Sequence, residues 1–207
     1  MSQINVNKVI SPNQALVDGP SLDIAANTNI SVDTDTLFVD STNNRFGVGT
    51  STPIRSLDIS GGNGASFLGG VILENALIES TALSGTSNHN ISSGSVHVWN
   101  TVSSNWTYNI RYSSSQTLNS QMTVGQTVYA FAILPISSSG YYNTAVQIDG
   151  VGQTPDWVDN ANPTQAGGAL AETAATTGYD IYSYKIIKTG DAAWNVFAGQ
   201  VHFGDFT

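Results

Sequence analysis

Residues 105–112 read Asn-Trp-Thr-Tyr-Asn-Ile-Arg-Tyr, a strict alternation of polar and apolar side chains. Trp106, Tyr108, Ile110 and Tyr112 occupy every second position. Successive residues of a β-strand point to opposite faces of the sheet. The pattern therefore predicts a strand with one face in a hydrophobic core and the other in water.

The residues on either side of this stretch predict more strands of the same kind. Residues 128–134 are apolar on both faces, which predicts a central strand that is covered twice, and residues 187–192 predict a tight hairpin connection. We therefore expect residues 91–207 to form a head domain, a jelly-roll-like antiparallel β-sandwich in which residues 150–178 are a long loop. Its other predicted strands lie near residues 94–101, 126–136, 141–149, 179–188 and 193–203.

The first part of the chain has a different pattern, with apolar clusters of only three to five residues between turn-forming Asn, Asp, Gly and Pro. Such short strands contain too few large apolar residues to build a core of their own, and an isolated hairpin is marginal in water. We expect three identical chains to wrap around one another and form an intertwined β stalk over residues 36–90. A loose arm draped on a globular body is the alternative. The expected trimer core consists of Leu37, Val39, Phe46, Val48, Leu57, Ile59, Ile72 and Leu77.

Two interpretations compete for residues 65–90, where the apolar triplets 71–73 and 76–78 recur five residues apart. One is a short coiled coil, which needs several sustained heptads that this segment lacks. The other is a β shaft in which each triplet is a short strand, and the β-branched residues and flanking glycines favour it. Both interpretations predict self-association.

Composition excludes several classes of function. Charged residues make up only 10% of the chain and the net charge is −9, which disfavours nucleic-acid binding. No apolar run is long enough for membrane insertion, and without cysteine there is no disulfide and no thiolate metal site. His89, His97 and His202 are far apart in sequence, so packed histidines are expected in place of a metal cluster. With no recognisable nucleophile–base motif, we expect neither an enzyme nor a cofactor.

Aromatic residues of the predicted head domain are the candidates for ligand binding. Trp157 begins the long loop, and either Tyr141 or Tyr142 is expected to face outward because neighbouring strand residues point to opposite sides. An exposed ring flanked by amides and carboxylates suits stacking on a sugar. The alternative for each ring is packing in the core.

Residues 35–59, Asp-Thr-Leu-Phe-Val-Asp-Ser-Thr-Asn-Asn-Arg-Phe-Gly-Val-Gly-Thr-Ser-Thr-Pro-Ile-Arg-Ser-Leu-Asp-Ile, resemble a segment that recurs in tailed-bacteriophage fibre proteins. Phe46 stands where a valine is usual. Residues 70–86 resemble the repetitive shafts of such fibres. Several later segments resemble a domain of structural proteins from marine phages, notably cyanophages; they are residues 105–111, 117–120, 141–143, 147–150, 154–157 and 181–190.

The resemblance implies a homotrimeric virion appendage without enzymatic activity. We expect a short fibre on the tail, neck or head, assembled in the host cytoplasm and displayed on the virion surface. Residues 1–35 would be an extended arm that binds other virion proteins, and the head domain would contact host-surface glycans. Two alternatives remain, namely a capsid decoration or cement protein and a free carbohydrate-binding module.

Overall fold

A computed structural model describes residues 36–60, 74–168 and 175–204 of the chain, together with the backbone of residues 30–32. The chain divides into two compact units, residues 1–71 and 72–207. The described residues are mostly β-strand with almost no helix, arranged in mixed sheets. The prediction of a β-rich protein is confirmed. The expected arm, residues 1–35, lies outside the described residues except for the backbone of 30–32.

The first unit contains one four-stranded sheet in the order β1-β2-β3-β4. Its first three strands pair antiparallel, and the fourth pairs parallel to the third. The apolar clusters that predicted short strands coincide with these elements. Their bounds are β1 Ile30–Val32, β2 Leu37–Asp40, β3 Arg45–Val48 and β4 Leu57–Ile59.

Side-chain hydrogen bonds stabilise the turn between β2 and β3. The carboxylate of Asp40 accepts hydrogen bonds from the backbone N–H groups of Thr42 and Asn43 and from the Asn43 amide, which closes the turn after β2. Asn44 adopts a positive φ of 54° in the same turn, a conformation that asparagine tolerates well. Asp40, Asn43 and Asn44 therefore have a structural role in this turn.

The register of the sheet places six apolar residues on one face. Residues paired directly across neighbouring strands point to the same side. The paired residues form two rows of three. In the first row Val39 pairs with Phe46, and Phe46 pairs with Leu57. In the second row Leu37 pairs with Val48, and Val48 pairs with Ile59. These six residues, called the apolar face below, are also six of the eight expected for the trimer core.

The apolar face is incompletely buried within the single chain. Leu57 is 53% exposed, Ile59 39%, Leu37 38% and Phe46 37%. The two valines are half-buried. Large apolar side chains on a short sheet thus remain in contact with water.

The second unit contains two mixed sheets. The four-stranded sheet has the order β11-β10-β8-β6 and the six-stranded sheet the order β12-β14-β13-β9-β7-β5. The strands of the four-stranded sheet are β6 Leu83–Asn90, β8 Val102–Arg111, β10 Asn143–Ile148 and β11 Val151–Gln153. Those of the six-stranded sheet are β5 Ala76–Glu79, β7 Val96–Trp99, β9 Thr127–Pro135, β12 Asp156–Trp157, β13 Tyr179–Gly190 and β14 Ala193–Phe203.

Buried side chains from both sheets belong to one hydrophobic core. On β8, Trp106, Tyr108 and Ile110 are at most 1% exposed, as the alternating pattern predicts. The Trp106 ring meets Tyr182 of β13 edge to face at 5.4 Å, and the Tyr108 ring stacks on Tyr184 at 5.3 Å. These ring contacts join the two sheets.

The sheets are not purely antiparallel, so that part of the jelly-roll-like prediction is wrong. β6 and β10 both run parallel to β8, and β5, β7 and β9 form a parallel series. Among the described strands of the second unit, antiparallel pairing is limited to β9 with β13, β13 with β14, and β10 with β11. Successive strands β5 to β8 alternate between the two sheets, so neighbours in sequence are not neighbours in a sheet.

The division of the chain also differs from the one expected from sequence. β5 and β6 lie in the region assigned to the stalk, yet they pair with β7 and β8 in the second unit. Residues 76–79 form a strand, which favours the β interpretation over the coiled coil for that triplet. Leu77 is half-buried on β5, and Ile72 lies outside the described residues.

Helical structure in the described ranges is limited to short pieces. The helix α1 spans Leu118–Gln121, and single 3-10 turns occur at Ile91–Ser93 and Val158–Asn160. The backbone N–H groups of Leu118 and Asn119 donate to the carboxylate of Asp149, which completes the start of α1. No helix in the described part of the chain has the length and apolarity to cross a membrane.

Candidate functional site

A groove of about 220 Å³ lies beside Trp157 in the second unit. Its walls come from β10, the segment from β11 to β12, and the loop that follows. None of the described residues that line it carries a charge. They are Asn143, Thr144, Ala145, Val146, Gln153, Thr154, Pro155, Trp157, Asn162 and Pro163.

The groove forms where the chain passes from one sheet to the other. β10 turns into β11 through Asp149 and Gly150, both with positive φ (53° and 82°), the pattern of a type I′ hairpin turn. β11 is the edge of the four-stranded sheet, and two residues later β12 forms the edge of the six-stranded sheet. Residues 150–178, which were predicted to be a long loop, thus contain the two edge strands β11 and β12. The residues that connect these strands form part of the groove wall.

Trp157 is held in place from two directions. Its backbone pairs with Ala198 of β14, and its ring meets Tyr184 edge to face at 6.1 Å. The side chain is half-buried, packed against the core while also lining the groove. The ring is therefore a preformed wall whose orientation is fixed by a core tyrosine.

Polar groups surround this ring on the other walls. Thr144, Thr154 and Asn162 are exposed, and Gln153 is half-buried. Thr144 Oγ1 donates to the carbonyl of Trp106 at 3.1 Å, which orients that hydroxyl. The groove therefore combines one aromatic surface with hydroxyl and amide groups.

Asn143 forms the inner wall and is only 2% exposed. Its Nδ2 donates to the carbonyl oxygens of Trp106 and Ala145 at 3.3 and 3.0 Å. Its Oδ1 is enclosed and has no hydrogen-bond partner within the described ranges. A buried acceptor without a donor raises the free energy of the folded state.

The two tyrosines predicted to share the site with Trp157 do not line the groove. Both are half-buried and precede β10. Tyr141 packs against the core, and the backbone N–H of Tyr142 donates to Asn105 Oδ1 at 3.0 Å. Of the three residues predicted from sequence, Trp157 lines this groove. Asn143, Thr144 and Gln153 were not predicted, because their convergence depends on the crossing between sheets.

Two histidines form a second polar cluster, which is buried between the sheets. His89 of β6 and His97 of β7 are fully buried, and their rings stack at 3.7 Å with an interplanar angle of 23°. His89 Nε2 donates to the carbonyl of Gly94 at 3.1 Å, so in the neutral ring Nδ1 accepts from the hydroxyl of Tyr108. His97 Nδ1 donates to Glu79 Oε1 at 2.9 Å.

Burial disfavours a positive charge on both rings. Desolvation, reinforced by the neighbouring His97, lowers the pKa of His89 to about 3. Desolvation also lowers the pKa of His97, although the Glu79 carboxylate opposes this shift. Burial raises the pKa of Tyr108 well above its usual value. Such groups hold the sheets together and are not exposed to a substrate.

His89 and His97 are packed residues, as the sequence interpretation expected, whereas His202 is partly exposed. His202 lies apart from the other two and donates from Nδ1 to Asp180 Oδ1 at 3.1 Å. Among the described residues no group of three or more His, Asp or Glu side chains is placed to hold a metal ion. The stacking of His89 on His97 could not be read from the sequence because it joins strands of different sheets.

No family model matches this chain, and no curated protein or solved structure is similar to it.

Proposed function

We propose that this protein is a non-enzymatic virion structural protein of a tailed bacteriophage, a short homotrimeric fibre displayed on the particle surface. The first unit would associate into the stalk, and the second would be a two-sheet head available for adhesion to the host. The resemblance of residues 35–59 to phage fibre segments supports the proposal. The observation that carries it is the apolar face of the first unit.

The apolar face supports self-association because it leaves water-exposed hydrophobic area on a very small sheet. Contiguous apolar surface of this kind marks an interaction site more often than an ordinary surface. Burial of apolar area contributes about 25 cal/mol per Å², so covering the half-exposed Leu57 and its neighbours would offset the association cost. The two rows of three residues would form two layers if three copies met around one axis.

Native mass spectrometry or equilibrium sedimentation tests the trimer. The expected mass is three times that of the 21.8 kDa chain. Leu57→Asn should lower the mass to that of one chain. Since Leu57 is already 53% exposed, the substitution should cost the isolated fold little.

The matched control is Val124→Asn, at a residue 64% exposed in the second unit. This variant should keep the trimeric mass. A native chain that remains a monomer would contradict the trimeric fibre, and a trimer that Leu57→Asn leaves intact would contradict assembly through the apolar face.

Immunogold labelling of the phage particle tests the virion part of the proposal. Label concentrated on an appendage is expected for a fibre. Label spread evenly over the head would instead favour a capsid decoration protein, and label absent from purified particles would contradict both.

A further inference from the structure

We propose that the groove beside Trp157 binds one uncharged sugar residue of a glycan. This inference names a ligand class for the adhesion that we propose for the second unit, and it rests on that proposed function. It is carried by the chemistry of the walls, where an indole ring stands among hydroxyl and amide groups and none of the described lining residues is charged.

The pairing of surfaces suits a pyranose. One side of a sugar ring presents C–H bonds, which pack on an aromatic face, while its hydroxyls need donors and acceptors at the rim. Trp157 supplies the aromatic surface, and Thr144, Thr154 and Asn162 supply exposed polar groups around it. The edge-to-face contact with Tyr184 fixes the indole, so little side-chain freedom is lost on binding.

The size and charge of the groove restrict the number of sugar rings and the charge of the ligand. A volume of about 220 Å³ is below the range of about 300–1,000 Å³ typical of drug-sized ligands. A single ring fits this space better than a longer segment. Because the described lining residues offer no cation to pair with a carboxylate or phosphate, an acidic sugar would be desolvated without compensation.

Asn143 adds an unused acceptor at the inner wall. Its Oδ1 is buried and finds no hydrogen-bond partner among the described residues, while its Nδ2 donates to two backbone carbonyls. A ligand hydroxyl that reached this wall after a small side-chain shift would relieve the cost of the unpaired oxygen.

The test is a titration of the full-length ¹⁵N-labelled protein with glucose, galactose, mannose and N-acetylglucosamine at millimolar concentrations, followed by the indole N–H signals. At least one sugar should shift the Trp157 signal saturably. Trp157→Ala should weaken that binding by about tenfold or more. Trp194→Ala is the matched control, since Trp194 is also half-buried against the core but does not line the groove.

A second variant distinguishes loss of sugar binding from loss of folding. Asn162 is exposed, so Asn162→Arg should fill the groove mouth, leave the near-ultraviolet circular dichroism unchanged and still abolish the shift. The inference is overturned if no neutral sugar gives a saturable shift, if Trp157→Ala binds as well as the native chain, or if N-acetylneuraminic acid binds as tightly as the neutral sugars. The mass of the same samples reports the trimer separately, so failure of one proposal does not imply failure of the other.

Discussion

At the scale of single residues, the stacked histidines make stability depend on pH. His89 has a folded pKa of about 3 against an ordinary value of 6.5, and burial is the main cause. The unfolded chain therefore binds protons that the folded chain does not, and stability falls as pH decreases below 6.5 towards 3. His97 and Tyr108 contact the ring, and Glu79 faces it through His97. His97, whose pKa is also lowered, acts in the same direction.

His89→Gln should reduce this pH dependence. The native protein should lose about 1.4 kcal/mol of unfolding free energy per pH unit for each imidazole excluded from protonation. Urea midpoints at pH 6 and pH 4.5 measure the slope, and the variant should show a shallower one whatever its stability at neutral pH. Between pH 7 and 8 the unfolding free energy should no longer change with pH through this imidazole. An unchanged slope in the variant would mean that the buried ring already carries a proton.

At the scale of strands, Gly94 allows the backbone just before β7 to lie close to the backbone just before β5. Gly94 has φ of +135°, and a Cβ atom there would lie 2.3 Å from the carbonyl oxygen of Asn75, immediately before β5. Gly94→Ala should therefore push the β5 segment away and cost roughly 2 kcal/mol or more. The comparison is Gly150→Ala, where φ is +82° but no atom of the described residues lies within 4 Å of the added atom.

Gly150→Ala should cost only the backbone strain of a left-handed conformation, about 1 kcal/mol. Denaturant unfolding of both variants measures the difference. If the two alanines cost the same, the close approach at Asn75 is irrelevant to stability. Hydrogen exchange should locate the added opening of Gly94→Ala in residues 76–79, the strand that this contact adjoins.

Several strands could be predicted from sequence because their signal is local. Alternation on residues 105–112 and the hairpin at 187–192 correspond to β8 and to the β13–β14 connection, where Ala192 has φ of 48°. β6 was missed because Leu83–Asn90 contains one aliphatic residue and many small polar ones. Its strand conformation comes from parallel pairing with β8, a partner that sequence patterns do not reveal.

The same limit explains which parts of the sites were found. Trp157 was identified as a residue type suited to a sugar, whereas the walls around it depend on the step between edge strands. All six residues of the apolar face were among the eight expected in a trimer core, because each belongs to a local cluster of the short-strand pattern. Side chains that converge across sheets, such as His89 and His97, required the three-dimensional register.

At the scale of the whole molecule, the two units differ in how each obtains a core. A buried core cluster lies within the second unit, which also exposes large apolar side chains such as Phe197 and Val201, while the first unit exposes its apolar face. All four tryptophans and all eight tyrosines lie after residue 71, so intrinsic fluorescence reports only the second unit. Unfolding can therefore be followed separately for the two units.

Urea titration at several protein concentrations should separate them. If the first unit is stable only as a trimer, dissociation followed by sedimentation should move to higher urea as concentration rises, by mass action. The fluorescence midpoint should stay constant, because the second unit buries its own core. Leu57→Asn should abolish the concentration dependence and leave the fluorescence curve unchanged. A fluorescence midpoint that rises with concentration would show that the second unit also depends on assembly, and the division of roles between stalk and head would be wrong.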